Sequence, residues 1–259
     1  MRSWRGAICV LRTGVQFFGK DNVIMSAADI VAELETLGSE ATRKTLLRHG
    51  VSEPVFGVKV ADLQKIRKRI KVDYQLALDL YETGIYDARY LAGLIADDSR
   101  MTKRDLQRWA KQGTCGSLCG YTVPWVASES RYGWEMGLKW IEARQPHIAV
   151  IGWSTLSSLV AIKADEDLDL AALKGLLQRV EREIHDAPNR VRYAMNGFVI
   201  SLGTYVTSLS KAAIAAGKRI GVVDVDVGDT SCKVPFAPDY INKVVKRGTV
   251  GKKRKTAKC

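Results

Sequence analysis

The sequence predicts an all-α protein, an α-solenoid of about six helix pairs with a short extended segment near its C-terminal end. Helical periodicity of apolar residues recurs in about a dozen segments that are joined by short turns. The sequence shows neither strand–helix alternation nor heptad runs, which argues against Rossmann-like folds and coiled coils. Helix pairs recur at roughly 35 to 40 residues, a spacing typical of HEAT and armadillo-type units, so the predicted pairs are HEAT-like.

The first half of the chain predicts helices with recognisable ends. Ser26 is suited to cap the first helix, with Asp29 three residues later, and Gly38 is suited to end it. A second helix ends at Gly50, and Pro54 marks the loop that follows. The next helices of this half are VADLQKIRKRI, DYQLALDLYETG, YDARYLAGLIADD and TKRDLQRWAKQG. In the last of these, Thr102 is suited to cap the helix, with Asp105 three residues later.

The second half predicts further helices and one segment without helical periodicity. The helices are RYGWEMGLKWIEAR, IAVIGWSTLSSLVAIK, LDLAALKGLLQRVEREI, PNRVRYAMNGFVISLGTYV and SLSKAAIAAGKRIG. Residues 222–227, VVDVDV, alternate Val and Asp and predict an extended segment. The stretch DVDVGDTSCKVP loosely resembles a calcium loop but lacks its closing glutamate, so we interpret it as a turn that pins the C-terminal part to the solenoid.

Composition and charge suggest the domain organisation and the class of partner. The chain has 259 residues, of which 46% are hydrophobic, and no apolar run approaches the roughly 20 residues of a membrane span. We predict a disordered leader or upstream-start extension over 1–24, a HEAT-like domain over 25–245 and a disordered basic tail over 246–259. The net charge of +12 favours a polyanionic partner, nucleic acid before an anionic membrane.

The five cysteines are an odd number, which does not fit a secreted disulfide framework and favours a reduced, intracellular context. We predict a cytoplasmic, nucleoid-associated protein. Cys115 and Cys119 are four residues apart and would share one face of a helix. They are interpreted as small semi-buried thiols or as a reactive, DNA-facing pair. A zinc site is disfavoured because this C-x₃-C lacks a second Cys/His pair at suitable spacing, and we expect no metal and no cofactor.

Several segments together resemble the DNA alkylation repair family, whose active members are alkylpurine DNA glycosylase D-like proteins. These segments are EPVFGVKVADLQKIRKRI, LALDLYETGIYDARYLAGLIADD, KWIEAR and RYAMNGFVISLGTYV, and DVGDTSCKVPFAPDYINKV resembles the ending of a subgroup. The resemblance covers about residues 26–245. It implies a HEAT-like solenoid that cradles duplex DNA in a basic concave groove. It also implies a tryptophan and an aspartate that face the lesion, with a second tryptophan on a later helix.

This chain departs from the family pattern at each of those positions. Cys115 takes the place of the first tryptophan and Cys119 that of the aspartate, four residues later. The second tryptophan corresponds to Gly197 or Phe198, and the phosphate-binding arginine of the middle helix falls near Trp153. The resemblance therefore implies a subgroup that lacks the usual catalytic Trp and Asp, with weak N-glycosylase activity on cationic alkylpurines at most.

Basic side chains that recur along successive helices would follow a phosphate backbone, although each could also lie on a solvated helix face. The candidates are Lys59, Arg67, Arg69, Lys139, Lys163, Arg190, Arg192 and Lys233. Trp125 is the best candidate for a displaced aromatic residue. We therefore predict a monomeric protein that binds duplex DNA, damaged or branched, and no membrane. The alternative is a non-enzymatic scaffold that holds a protein or RNA.

Overall fold

The computed structural model of the chain describes residues 25–52, 54–113 and 116–258. Within these ranges the protein is all-α without strands, as predicted. Its helices are α1 (Ala27–Leu37), α2 (Glu40–Arg48), α3 (Val60–Ile70), α4 (Tyr74–Glu82), α5 (Tyr86–Ile95), α6 (Lys103–Gln112), α7 (Val123–Glu129), α8 (Gly133–Ile141), α9 (Pro146–Ile162), α10 (Leu170–Glu183), α11 (Asn189–Tyr205), α12 (Ser210–Ile220) and α13 (Ala237–Lys246). A π-helical turn, Leu118–Thr122, leads directly into α7.

The predicted helix starts at Ser26 and Thr102 are both capping boxes. The Ser26 hydroxyl accepts from the Asp29 N–H at 3.2 Å, while Asp29 accepts from the Ser26 N–H at 3.0 Å. Thr102 and Asp105 make the same reciprocal pair at the start of α6. These bonds satisfy backbone donors that the first turn of a helix leaves without a partner.

The helices are arranged as consecutive pairs behind an N-terminal group formed by α1, α2 and α3. The pairs are α4/α5, α6/α7, α8/α9, α10/α11 and α12/α13. The second helices of the first four pairs contact one another in chain order, and we call α5, α7, α9 and α11 the central row. Gly152 in α9 allows close packing within the α8/α9 pair, because a Cβ there would lie 2.5 Å from the nitrogen of Ile141 in α8.

Large apolar side chains fill the space between the central row and the first helices of the pairs. Trp109, Trp140 and Phe198 are essentially inaccessible to solvent. The Tyr81 ring stacks on Trp109 with centroids 4.0 Å apart, and its hydroxyl donates to the Trp109 carbonyl at 3.0 Å. Burial of such aromatic side chains is the main source of stability for a helical array of this kind.

Residues 221–236 form an irregular segment between α12 and α13. The predicted alternation within it is real, because Val223 and Val225 are buried whereas Asp224 and Asp226 are exposed. Asn189 holds the segment through two hydrogen bonds of 2.7 Å with the backbone of Asp226. The segment therefore pins the C-terminal part to α11, as interpreted from the sequence.

The tail that was predicted to be disordered over 246–259 is folded over residues 246–258. Lys246 ends α13, and residues 247–258, which we call the C-terminal strap, cross the C-terminal ends of all four central helices. The strap donates hydrogen bonds to the carbonyls of Thr204 in α11, Val160 and Ala161 in α9, and Ala96 after α5. At α7 the Glu129 carboxylate accepts from the Ala257 N–H at 2.7 Å and from the Thr256 hydroxyl.

The strap supplies hydrogen-bond donors and positive charge to the C-terminal ends of the central helices. The last four carbonyls of an α-helix have no partner within the helix, and the C-terminal end carries partial negative charge. Lys253 and Lys258 bring ammonium groups to these ends, where Lys253 also pairs with Asp165 at 2.8 Å. Composition alone suggested disorder because it does not reveal these acceptors. The predicted leader, 1–24, and Cys259 lie outside the described residues.

Two further findings concern the described residues as a whole. No single helix among them has the length and apolar composition to span a membrane. The consecutive segments Asn189–Tyr205 and Thr207–Ile220 have sufficient length and apolar composition when taken together, but the chain bends by 113° between them. In the same ranges, no three His, Cys, Asp or Glu side chains are grouped so that they could hold a metal ion.

Candidate nucleic-acid interface

One large cleft, with a volume of about 830 Å³, lies along the central row. Its floor is formed by α9, α11 and the π-helical turn before α7. The end of α2 and the segment 221–236 contribute side walls, and Arg254 of the strap lies at one end.

The floor is built from one face of each central helix. On α9, Ser154, Ser157 and Ser158 point into the cleft on the same face as Val150 and Ala161. These positions fall at helical spacing, so the opposite face of α9 supplies the core. Hydroxyl groups thus line a helix that is otherwise strongly apolar.

The face of α11 is more varied. Arg190 and Tyr193 lie near its N-terminal end, Gly197 and Ser201 at its middle, and Tyr205 at its C-terminal end. Because an α-helix rises 1.5 Å per residue, Arg190 and Tyr205 are separated by about 22 Å along the axis. The cleft is long enough to accommodate an extended ligand.

Of the predicted Cys pair, Cys119 lines the cleft, and Cys115 lies outside the described residues. Cys119 is 3% exposed, and its thiol donates to the Gly113 carbonyl at 2.6 Å. A thiol that donates a hydrogen bond retains its proton and is not an anion. The position that corresponds to the family's aspartate therefore carries no charge in this arrangement.

The two alternatives for the second tryptophan position are separated clearly by the structure. Gly197 faces the cleft, and a Cβ there would meet no atom within 4 Å. Phe198 points the other way and is fully buried, with its ring centroid 5.2 Å from that of Trp153. Trp153 is itself 2% exposed. The burial of Phe198 and Trp153 argues against the direct DNA contacts predicted for them.

Aromatic side chains nevertheless occur at the cleft. Tyr121 and Tyr193 are 51% and 41% exposed and both line it. Trp125, the predicted displaced aromatic, also borders the cleft but is only 3% exposed, packed edge-on against Tyr90 at 5.5 Å. Among the described Tyr and Trp side chains that line the cleft, Tyr121 and Tyr193 are the most exposed, and neither was predicted from the sequence.

The cleft has an unusual balance of charge. Among the described residues that line it, the cations are Arg190 and Arg254, and there is no aspartate or glutamate. Burial lowers the pKa of His147, so its imidazole is neutral at pH 7. Burial also raises the pKa of Tyr205, which outweighs the opposite effect of Arg254. The cleft therefore offers hydroxyls, neutral rings and two guanidinium groups.

Most of the predicted basic residues lie away from this cleft. Arg190 is the one that lines it. Arg69 is paired with Glu33, and Arg67 donates to Gln64 at 3.2 Å. The remaining candidates are exposed, or half-buried in the case of Arg192: Lys59, Lys139, Lys163, Arg192 and Lys233. From the predicted set, the structure brings Cys119, Trp125, Arg190 and Gly197 to the cleft.

Two features of the cleft were missed for different reasons. The polar stripe of Ser154, Ser157 and Ser158 was visible as hydroxyls at helical spacing in an apolar helix. Arg254 gave no such signal, because its position depends on how the strap docks. A search for polar stripes on apolar helices would have found the first feature but not the second.

A family model matches most of the chain, and two bacterial proteins are similar to it. Residues 30–221 match the family model described as DNA alkylation repair enzyme. Uncharacterized proteins of Listeria innocua and Listeria monocytogenes are 33% and 31% identical, each over 83% of this chain and 95% of the relative.

A solved structure supports the fold. Its protein is described as belonging to a new family of proteins related to the HEAT-like repeat DNA glycosylases with affinity for branched DNA structures. This structure is similar with a TM-score of 0.84 and 34% identity, over 91% of this chain and all of that one. The predicted HEAT-like fold and the resemblance stated from the sequence are both confirmed, and the chain belongs to the DNA alkylation repair enzyme family.

Proposed function

We propose that this protein binds DNA in the cleft, prefers branched DNA to plain duplex, and has at most weak glycosylase activity. The observation that carries the proposal is the lining of the cleft. It combines two arginines, exposed tyrosines and hydroxyls, and its described residues include no carboxylate. This set is suited to binding a polyanion rather than to stabilising a cation.

The arginines and hydroxyls supply contacts to phosphate. Guanidinium groups form charge-assisted, often bidentate, hydrogen bonds with phosphate oxygens, and Ser and Tyr hydroxyls commonly donate to them as well. Arg190 lies near one end of α11 and Arg254 near the other. A nucleic acid lying along α11 would therefore meet a cation at each end of the cleft.

The tyrosines favour DNA that is not fully paired. Tyr121 and Tyr193 present exposed rings, and stacking on such rings is available to bases that have left the duplex stack. A branch point supplies such bases, and it also brings several phosphate backbones close together. The solved neighbour's described affinity for branched DNA supports this preference.

Weak or absent base excision follows from the missing anion. The family's route uses a carboxylate and aromatic faces beside a cationic base and sugar. Here a protonated thiol, Cys119, and an open position, Gly197, occupy two of the corresponding places. The loss of one preorganised electrostatic group typically costs about 10²–10³ in rate.

The second candidate function is a non-enzymatic scaffold for RNA or protein. The observation in its favour is that uncharged and apolar side chains make up most of the lining of the cleft. Such a surface also fits an extended peptide. We favour DNA because Arg190 and Arg254 place a positive charge at each end of the cleft. We also propose that the protein is a monomer and is associated with the nucleoid.

The test is a binding titration with the full chain. A fluorescent four-way DNA junction, a duplex with the same arm sequence and the matching RNA duplex are compared at several salt concentrations. We expect the junction to bind more tightly than either duplex, with affinity that falls as salt rises. Release of methylated purine from alkylated DNA, measured in parallel, should stay near background. Failure to bind any DNA would contradict the proposal.

A further inference from the structure

The strap forms one end of the cleft. The Arg254 N–H donates to the Ala161 carbonyl at 2.8 Å, where α9 ends, and its side chain lines the cleft near Tyr205. The neighbouring Lys255 is also exposed but does not line the cleft. Of the strap's cations, Arg254 is thus the one that faces the proposed ligand site.

The docking of the strap is built into the fold. Residues on both sides of Arg254 are anchored, Lys253 by Asp165 and Val160, and Lys258 by Asp98 and Ala96. Lys258 is nearly fully buried, which is rare for lysine unless it is paired. These anchors hold the backbone at Arg254 across the end of the central row.

We infer that the C-terminal strap is part of the nucleic-acid site, with Arg254 as a phosphate-binding residue that reaches the cleft only when the strap is docked. This inference rests on the proposed function and names a determinant that lies beyond the family match, which ends at residue 221. The ligand chemistry is a phosphodiester oxygen of DNA, contacted at the opposite end of the cleft from Arg190.

The first experiment compares Arg254→Gln with Lys255→Gln in the full chain, using the fluorescent four-way junction as probe. Both variants remove one charge from adjacent strap positions, and Arg254→Gln leaves the backbone bond to Ala161 intact. Arg254→Gln should weaken binding by about tenfold or more, as expected for a charge-assisted hydrogen bond. It should also reduce the salt slope by about 0.9, whereas Lys255→Gln should change affinity less than about twofold.

The second experiment loosens the strap without touching Arg254. In the variant Lys258→Met the ammonium group is removed, which leaves the Asp98 carboxylate and the Ala96 carbonyl without the donor that holds the end of the strap. We expect junction binding to weaken nearly as much as in Arg254→Gln, while the helical circular dichroism spectrum is unchanged.

The outcomes separate this inference from the proposed function. If the wild-type chain binds the junction and the Arg254→Gln and Lys255→Gln variants bind it equally well, the role of Arg254 is overturned. The proposal that the cleft is the DNA site would then still stand. A Lys258→Met variant that binds like the wild type would overturn the need for docking. A wild-type chain that binds no DNA would overturn the proposed function and this inference together.

Discussion

The Lys258 ammonium lies 2.8 Å from a carboxylate oxygen of Asp98 and donates to the Ala96 carbonyl at 2.9 Å, although Ala96 is 162 residues earlier in the chain. This contact fastens the end of the strap to the C-terminal end of α5. It links the first helix of the central row to residues that follow the last pair. The end of the strap is thus held against the helices and is not a free tail.

The ion pair predicts a specific pH dependence of stability. Burial raises the pKa of Asp98 to about 6, because desolvation outweighs the attraction of Lys258 and the nearby Glu129 adds repulsion. The ordinary value is 3.8, so between pH 4 and pH 6 the folded chain binds more protons than the unfolded chain. The contribution of Asp98 to stability is therefore fully present below about pH 4 and is lost as the pH rises through about 6.

The measurement is the free energy of unfolding of the wild type and of the Asp98→Asn variant, from pH 4 to pH 7. The advantage of the wild type over Asp98→Asn should decline by at most about 3 kcal/mol across this range. Parallel pH profiles for the two proteins would show that Asp98 titrates normally.

The hydrogen bond of Cys119 predicts that replacing this residue by the family's aspartate destabilises the fold. An ionised carboxylate at this buried position would face the Gly113 carbonyl, which now accepts a hydrogen bond from the thiol. We expect Cys119→Asp to lower the free energy of unfolding at pH 7 by about 2 kcal/mol or more, since it leaves a buried acceptor unpaired. Cys119→Ser keeps a donor and should cost less than about 1 kcal/mol. Urea denaturation measures both, and equal losses would contradict the role assigned to the hydrogen bond.

Tyr193 is expected to contact unpaired bases. Replacing it by Ala should weaken binding to the four-way junction by about tenfold, within the range for loss of one base–aromatic stack. Tyr240 is the matched control, because it is similarly exposed, at 49%, but does not line the cleft. Tyr240→Ala should bind within about twofold of the wild type, and a similar loss in both variants would remove the cleft-specific role of Tyr193.

Local sequence spacing was sufficient for much of the fold. The helix class, the capping boxes at Ser26 and Thr102, and the burial alternation of Val223 and Val225 all depend on residues close together in the chain. The family resemblance singled out Cys119, and this residue lines the cleft. Each of these features was therefore predicted either from residues close together in the sequence or from the resemblance to the family.

The strap and the orientation of α11 could not be predicted in the same way. A basic C-terminal segment has the composition of a disordered tail, and its acceptors on four helices come together only in the folded chain. Gly197 and Phe198 are adjacent in sequence, so a slip of one residue decides which faces the cleft. Only the packing of Phe198 against Trp153 settles that orientation.

The most direct test of the central claim compares the variants Gly197→Glu and Gly175→Glu. Both glycines lie inside exposed or half-exposed parts of helices, and a Cβ at either would meet no atom within 4 Å. Both changes should preserve the fold, because Glu has the higher helix propensity. Gly197 lines the cleft and Gly175 does not, so one carboxylate would repel DNA inside the site and the other outside it.

The measurement is the dissociation constant of each variant for the four-way junction at fixed salt. The account predicts that Gly197→Glu weakens binding by about tenfold or more, while Gly175→Glu stays within about twofold of the wild type. Equal affinities for the two variants would contradict the claim that DNA occupies this cleft.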